Sequence, residues 1–588
     1  MIQVIRRIPA NYSDTISQTS RATAVKSRVT RGRAVAAVPQ RQPLLHRRGS
    51  RRRMVAPCAG GVVPATRLDP VDVVVVGSGL GASAFVRHLV DAAPGLRIVV
   101  LERGGWVDRS TLPALKADFQ RDVLGAYATS PNVRLAAGGR APSADYAIDD
   151  SGSDFKPLMW SGVGGSTINW AAHFPRFHPS DFRTRTLDGV GDDWPFSYAD
   201  LEPFYDLNDA RFGIAGLAGD PAYPPKPGRP MPPIGLGKLG MTAARGFDRL
   251  GWHWWPVDSA INSRDHQGRP ACNHCGPCQQ GCVSGAKAST DMTHWPYALG
   301  RGVELRTGAV VLQVELEAGR ARGVTYRTAE GDVFQPAQTV VVAGNGVGTA
   351  RLLLASGIAS PALGKNLMFH GAGYVRGFFA EDLDGPVGPT GCAIYSHEFY
   401  ETDRSRGFVR GVHLQVTREN PLAVQAARLA EPWGVAAHRA LQREFRRSMA
   451  ILVVNEDFPE AENHVALTGE TGPDGLPGVK VVYRISEHTR RSLDFGLDRA
   501  EEMLRAAGAI ETVRVPLAPF TGWHLLGTAR MGADPATSVT DGSGRVHGVA
   551  GLIVADGSLF TTSAAVNPGS TIGAVATKIA DDFAREAA

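Results

Sequence analysis

The sequence predicts an α/β plus β protein with a Rossmann-like nucleotide-binding domain and a second domain built on a mainly antiparallel sheet. Two stretches carry that prediction. From Val71 the chain reads VDVVVVGSGLGASAFVRHLVDAAPGLRIVVLERGG, an apolar β-branched run, a glycine turn, a helix-period segment and a second apolar run ending in Glu102. From Asn463 to Ile485 it reads NHVALTGETGPDGLPGVKVVYRI, alternating about a glycine turn as a hairpin does. With 588 residues, 43% of them hydrophobic and 20% charged, the chain can bury a sizeable core and form two or more domains.

The first 53 residues stand apart. They hold thirteen Lys or Arg and one acid, Asp14, and so carry +12 against a whole-chain net charge of +6, leaving about −6 on the remainder. The positive total is therefore no sign of nucleic-acid binding. An Arg-rich, Ser-rich, nearly acid-free stretch fits a disordered tail, an organelle transit peptide, or a start codon ahead of the true one at Met54. We favour the early start or the tail, with a cytoplasmic location, and count residues 1–69 as an extension. No apolar run reaches the roughly eighteen residues of a membrane-spanning helix.

In the glycine turn, Gly77 permits the tight bend and Gly79 lets backbone approach a pyrophosphate, while Ala82 takes the third position and still allows close helix packing. The phosphates would rest on the helix N-terminus. Glu102, 25 residues after Gly77, is placed to accept ribose hydroxyls. A second glycine cluster, VVVAGNGVGTARLLL from Val340, lacks an acid until Glu381 and so lacks the ribose carboxylate of an independent nucleotide site. Pro221 to Gly237 is proline-rich and marks a boundary or lid loop. Trp252, Trp254 and Trp255 read as core ahead of a sugar-stacking wall. Leu422 to Arg447 includes an amphipathic helix with Arg443, Arg446 and Arg447 near its end, a solvated face ahead of a membrane-surface one.

Two local features carry chemistry. HLLGTARMG begins at His524, and VNPGST places Asn567 and Pro568 43 residues after it. Each polar residue sits among turn formers, as expected of two side chains brought by separate loops to one reacting atom. Four of the six cysteines, Cys272, Cys275, Cys278 and Cys282, have the C-x2-C-x2-C-x3-C spacing that can wrap an iron–sulfur cluster. Zinc, disulfides or no metal at all are the alternatives, and Val283 stands where the bacterial ferredoxin run has proline.

Together GSGLGAS at Gly77, SGVGGSTINW from Ser161, HLLGTARMG at His524 and DGSLFTTSAAVNPGSTIGAVA from Asp556 resemble the glucose-methanol-choline (GMC) family of flavin oxidoreductases, over nearly everything after residue 70. DWPFSYADLEPFYD from Asp193 and AINSRDHQGRPAC from Ala260 are similar to its bacterial sugar, polyol and alcohol dehydrogenases. The resemblance implies FAD, with flavin-domain pieces at 70–175, 260–360 and 515–588 and substrate-domain pieces at 176–259 and 361–514. It implies flavin-side contacts from Gly164, Gly165, Ser166 and Asn169, adenine contact from Val310, ribityl and pyrophosphate contact from Asp556 and Gly557, and cofactor contact from Pro568 and Thr571. Some relatives attach FAD through a histidine near the position of Asn169, and its absence implies noncovalent FAD. Some carry a three-iron cluster near the cysteine run, with different spacing. His524 takes the place of the family's base and Asn567 that of its hydrogen-bonding partner. The implied reaction is oxidation of a CH–OH group in an alcohol, polyol or sugar, by a dehydrogenase with a quinone, cytochrome or dye-like acceptor. An oxygen-using alcohol, sterol or sugar oxidase and a flavin-containing lyase are the alternatives.

Overall fold

The computed structural model describes residues 65–112, 145–226, 228–419 and 434–587. The basic extension through residue 64 and residues 422–433 of the Leu422–Arg447 stretch lie outside them; the helix expected in that stretch forms at Val435–Glu444. The run Val71–Val76 is a strand because its consecutive valines suit a pleated surface buried on both faces: Val73, Val74 and Val75 are fully buried. It lies between Ile98–Leu101 and Gly331–Val342, all parallel, with Val73 opposite Ile98 and Val76 opposite Val342. Glu304–Arg306 extends the sheet beyond Ile98–Leu101, and Leu552–Val554 joins parallel to the end of Gly331–Val342. The first half of Gly331–Val342 turns to an antiparallel meander with Arg320–Thr328 and Val310–Glu317. One eight-stranded sheet results.

Helix Leu80–Ala92 covers this sheet and packs on the C-terminal helix Gly569–Ala587, whose small residues Ala574, Ala576 and Ala580 allow close approach. Helix Tyr198–Phe212 begins at a capping box of Ser197 and Asp200 and packs on the same C-terminal helix. There Tyr205 and Thr571 share a hydroxyl hydrogen bond of 2.7 Å, and Asn208 donates to Thr577 at 3.0 Å. Phe177, Phe182, Trp194, Leu201 and Tyr205 therefore join the first core, although 176–259 is expected in the substrate domain. Aromatic residues there complete the burial of the flavin-side helices.

A six-stranded sheet runs in the order Glu511–Val515, Ala372–Phe378, Ser448–Asn455, Val412–Thr417, Cys392–Ser396, Trp255–Pro256, and all its pairings are antiparallel. Its strands alternate by face. Val375, Ile451, Val453, Val412, Leu414 and Val416 pack with Leu493, Leu497 and Leu504 of helix Glu487–Ala507 in a second core. Tyr374, Arg376, Leu452, Gln415 and Thr417 face a cavity instead. The hairpin expected at Asn463–Ile485 forms as His464–Thr471 and Pro477–Tyr483, but it pairs with Ile148–Ser153 in a separate three-stranded sheet. It does not belong to the six-stranded roof. Trp255 is buried, Trp252 packs edge-on against Phe399, and Trp254 donates to Asp248. Arg446 pairs with Asp382 and Asp384. No helix among the described residues is long and apolar enough to cross a membrane.

The close approach of helix to sheet falls on Gly81, not on Ala82 as the fingerprint suggests. A Cβ on Gly81 would overlap the Ala555 carbonyl, whereas one on Gly79 meets nothing within 4 Å. We expect Gly81→Ala to lower stability by about 1–3 kcal/mol, the usual range for overpacking. Gly79→Ala should stay within about 0.5 kcal/mol; urea unfolding of both variants compares them.

Candidate functional site

A cavity of about 1060 Å³ separates the parallel sheet from the six-stranded sheet. Its floor is the carboxyl end of the parallel strands, marked by Val76, Leu101 and Val342, where crossover sheets bind nucleotides. Gly77 turns with φ +97°, and a Cβ there would lie 2.5 Å from the Ala343 carbonyl oxygen. Helix Leu80–Ala92 starts at Gly79 with no side chain capping it, so its first N–H groups are open to an anion. Glu102 is buried at the next strand end and accepts from Ser78 N at 3.1 Å, Ser78 Oγ at 2.6 Å and Gly104 N at 2.8 Å. Burial pushes its pKa up against those hydrogen bonds.

These residues fit a flavin dinucleotide. Asn169 provides a further test: it lines the cavity, it is buried, and neither its amide nitrogen nor its oxygen has a partner among the described residues. A buried amide left with both ends open is costly unless something else satisfies it. Gly165, Ser166, Val310, Gly557 and Pro568 also line the cavity, as do Ala343, Gly344 and Asn345 of the second glycine cluster. Asp556 lines it too, but its carboxylate is spent on protein: Oδ2 accepts from Asn345 N and Thr349 Oγ1, and Oδ1 from Ser558 N and Oγ. It pins two glycine-rich strand ends together. Ala82, Gly164 and Thr571 do not reach the cavity wall. Ala82 is buried under its helix, Gly164 makes a left-handed turn against Asp291, and Thr571 bonds Tyr205.

The cysteine run does not form the expected metal centre. Among the described residues no three His, Cys, Asp or Glu side chains are gathered to hold a metal ion, and Cys275 is exposed while Cys278 is buried. The loop takes positive φ at His274, Gly276 and Gly281, and Cys278 packs with Cys272 and Cys282 in one small core. Lys287 fastens it to the cofactor side: its ammonium donates to the carbonyls of Cys278, Ile168 and Trp170 at 2.5, 2.7 and 2.9 Å. Burial lowers that lysine's pKa to about 8.

Opposite the glycine turn, His524 and Asn567 meet at the cavity wall, with Asn567 Nδ2 3.4 Å from His524 Nε2. Two further residues, invisible as a motif, complete the group. Gln415 donates to Asn567 Oδ1 at 2.6 Å, which turns the amide NH2 toward the imidazole. His370 Nδ1 lies 2.7 Å from His524 Nδ1, and His370 Nε2 lies 2.9 and 2.8 Å from the carbonyl oxygens of Ser563 and Ala564. His370 and Ala564 are both held left-handed, at φ +62° and +57°. That is a costly backbone for either residue.

Those carbonyls decide the protonation of both rings. A carbonyl only accepts, so His370 Nε2 carries the proton and its Nδ1 is an acceptor. His524 Nδ1 must then donate to it. The neutral His524 is left with its lone pair on Nε2, facing the cavity.

Residues 242–372 and 459–576 match the family models described as GMC oxidoreductase. The chain is 38% identical over 545 residues to 2-methyl-1,2-propanediol dehydrogenase of Mycolicibacterium austroafricanum, covering 88% of this chain and 96% of that protein. The chain belongs to the GMC oxidoreductase family. This GMC oxidoreductase is also 29% identical to the fructose dehydrogenase large subunit of Gluconobacter japonicus, over 87% of this chain and 97% of the relative. Its fold matches pyridoxine 4-oxidase of Mesorbium loti with a TM-score of 0.61 at 16% identity, covering 87% of this chain and 99% of the other. Membership makes it an FAD-binding flavoprotein that oxidises CH–OH donors.

The site's histidines also govern acid stability. Burial lowers the pKa of His173 to about 3 and of His370 to about 4, while the unfolded chain titrates near 6.5. The folded state therefore binds fewer protons, and the stability these groups supply is full above that pH and lost as pH falls below it. Each should cost about 1.4 kcal/mol per pH unit between 6.5 and its folded value. Urea midpoints from pH 8 to pH 5 should be level at first and then fall.

Proposed function

We propose that the chain is a dehydrogenase of a small, multiply hydroxylated alcohol, with His524 as the base and noncovalent FAD as the hydride acceptor. The observation that carries the reading is the His524 Nε2 lone pair, fixed toward the cavity by the Ser563 and Ala564 carbonyls acting through His370. An alcohol gives up hydride only as its hydroxyl proton leaves, so a base must stand beside that oxygen. Bound FAD supplies the two-electron acceptor for the hydride. Asn567 Nδ2 shares the same point and donates to the substrate oxygen, which orients the hydroxyl toward Nε2. Burial, followed by the nearness of His370 and His173, holds the His524 pKa well below its ordinary value, so the base is free at neutral pH.

The roof favours a polar donor. Tyr374, Gln415 and Thr417 present phenol, amide and hydroxyl groups on one face of the six-stranded sheet, beside Arg376, whose guanidinium is paired with Glu419 and Glu444. Such a surface suits a diol or sugar better than a long alkyl chain, in keeping with the diol and the ketose named for the two relatives. The same two are dehydrogenases, which supports a quinone, cytochrome or dye-like acceptor in preference to oxygen.

In anaerobic stopped-flow with 2-methyl-1,2-propanediol or fructose, His524→Ala should slow flavin bleaching by about 10²- to 10⁴-fold. His370→Phe, which frees His524 to take the other tautomer, should slow it by about 10²-fold. Because protonated His524 cannot act, the acid limb of the wild-type rate should lie below pH 6.5. A bleaching rate unchanged in His524→Ala would reject the base, and reduced enzyme reoxidised faster by oxygen than by a quinone or dye would reject the acceptor. After acid precipitation the yellow colour should remain in the supernatant, since Asn169 cannot hold flavin covalently.

A further inference from the structure

Behind the cavity lies a cluster of buried imidazoles that hydride transfer does not use. His413 stands two residues before Gln415 on the same face of strand Val412–Thr417, and its Nε2 is 3.3 Å from Nε2 of His173, which lines the cavity. The His397 and His413 ring centroids are 4.6 Å apart. His397 Nδ1 is 3.1 Å from His178 Nε2, and His178 Nδ1 is 3.2 Å from Glu401 Oε1. All four histidines are buried, whereas the Glu401 side chain is 58% exposed. The row therefore runs from the cavity to the surface.

The hydrogen bonds give the row a direction. Partial desolvation works against ionisation of Glu401, but the His178 hydrogen bond and Arg410 hold its pKa at about 2. A carboxylate only accepts, so His178 Nδ1 donates to it, and the neutral ring receives at Nε2. His397 Nδ1 is then the donor and His397 Nε2 the acceptor. That Nε2 has no partner among the described residues, and neither do Nδ1 of His413 and Nδ1 of His173. An N–H on His413 Nδ1, reaching His397 Nε2 through one water between the two rings, supplies the missing donor. His173 Nε2 then donates to His413, and His173 Nδ1 remains an open acceptor at the inner end. Every ring donates outward and accepts inward. His253 is a side branch: it accepts from His397 N at 3.0 Å and faces Asp220 at 2.9 Å, outside the row.

We propose that His173, His413, His397 and His178 form an imidazole relay that carries the alcohol proton from the cavity to Glu401 at the surface. This rests on His524 as the base. His524 and His173 share the cavity wall, and the nearness of His173 helps to lower the His524 pKa, so the open His173 Nδ1 is placed to receive the proton taken at His524 Nε2. One proton enters there. At each junction one N–H bond breaks on the inner ring and one forms on the next, and one proton leaves through Glu401 to solvent. No electrons move. Each ring is left with its N–H on the other nitrogen; a proton passing inward restores it and is delivered to the cavity, where a quinone acceptor, which takes up protons with its two electrons, consumes it in the oxidative half-reaction. Burial holds the pKa of His173, His413 and His397 well below its ordinary value, which keeps any imidazolium on these three rings brief.

The test follows two signals in one anaerobic stopped-flow experiment on the FAD-loaded enzyme in weak buffer. With 2-methyl-1,2-propanediol as the probe, flavin absorbance reads the His524 step and a pH-indicator dye reads proton release. The wild-type traces should superimpose. In His397→Gln and His178→Gln the dye should lag the flavin by tenfold or more, whereas His524→Ala should slow both together. Traces that stay superimposed in both relay variants, at whatever rate, overturn the relay. Independently of any substrate, ¹⁵N spectra of histidine-labelled enzyme should show His397 and His178 protonated at Nδ1. Protonation of either at Nε2 alone overturns it too.

Discussion

Strand Leu552–Val554 is followed by Ala555, whose carbonyl packs against the bare backbone of Gly81. That approach is the constraint on which the site depends. It sets helix Leu80–Ala92 onto the sheet and draws the chain after Ala555 across the first glycine turn. Asp556 then ties this segment to Asn345 and Thr349 at the neighbouring strand end. Three strand ends far apart in sequence thus share one floor, and Asn567 is delivered above it on the same stretch of chain.

The roof follows from a different rule. Strand side chains alternate, so one face of the six-stranded sheet can bury Val375, Val412, Ile451 and Val453 while the other carries Tyr374, Arg376, Gln415 and His413. Helix Glu487–Ala507 seals the apolar face, and Gly496 makes room there for Val453. The polar face has no such cover. It closes over the parallel strand ends and becomes the side of the cavity next to His524 and Asn567.

The histidines show how backbone can fix chemistry. Two carbonyls, from Ser563 and Ala564, settle which nitrogen of His370 is protonated and through it which nitrogen of His524 is free. The loop bearing them is held by Glu456, which accepts from Ala564 N at 2.8 Å, and by the Asp457 N–H, which donates to Ser563 Oγ at 2.9 Å. At the other end of the imidazole cluster a carboxylate, Glu401, imposes the same logic on His178 and His397. Acceptor-only groups at the ends leave each neutral ring a single tautomer.

Periodicity and turn chemistry are local, and what depends on them was legible in the sequence. The valine run, the Gly77 turn, Glu102 at the next strand end, the hairpin after Asn463 and the pairing of His524 with Asn567 can all be read there. Four things required the tertiary structure, because each depends on residues far apart in the chain. The tight contact falls on Gly81 because Ala555 sits over it. The hairpin joins Ile148–Ser153 because that edge was available. Cys272, Cys278 and Cys282 share one packed cluster without gathering, among the described residues, as three metal-ligating side chains, and Lys287 fastens their loop beside Ile168 and Trp170. His370 and Gln415 carry no motif, and only packing brings them to His524 and Asn567. Sequence determined the kind of fold and the pair that meets at the cavity wall; tertiary contact decided the tautomer, the roof and the row of imidazoles behind the cavity, since these are relations between side chains that local pattern does not encode.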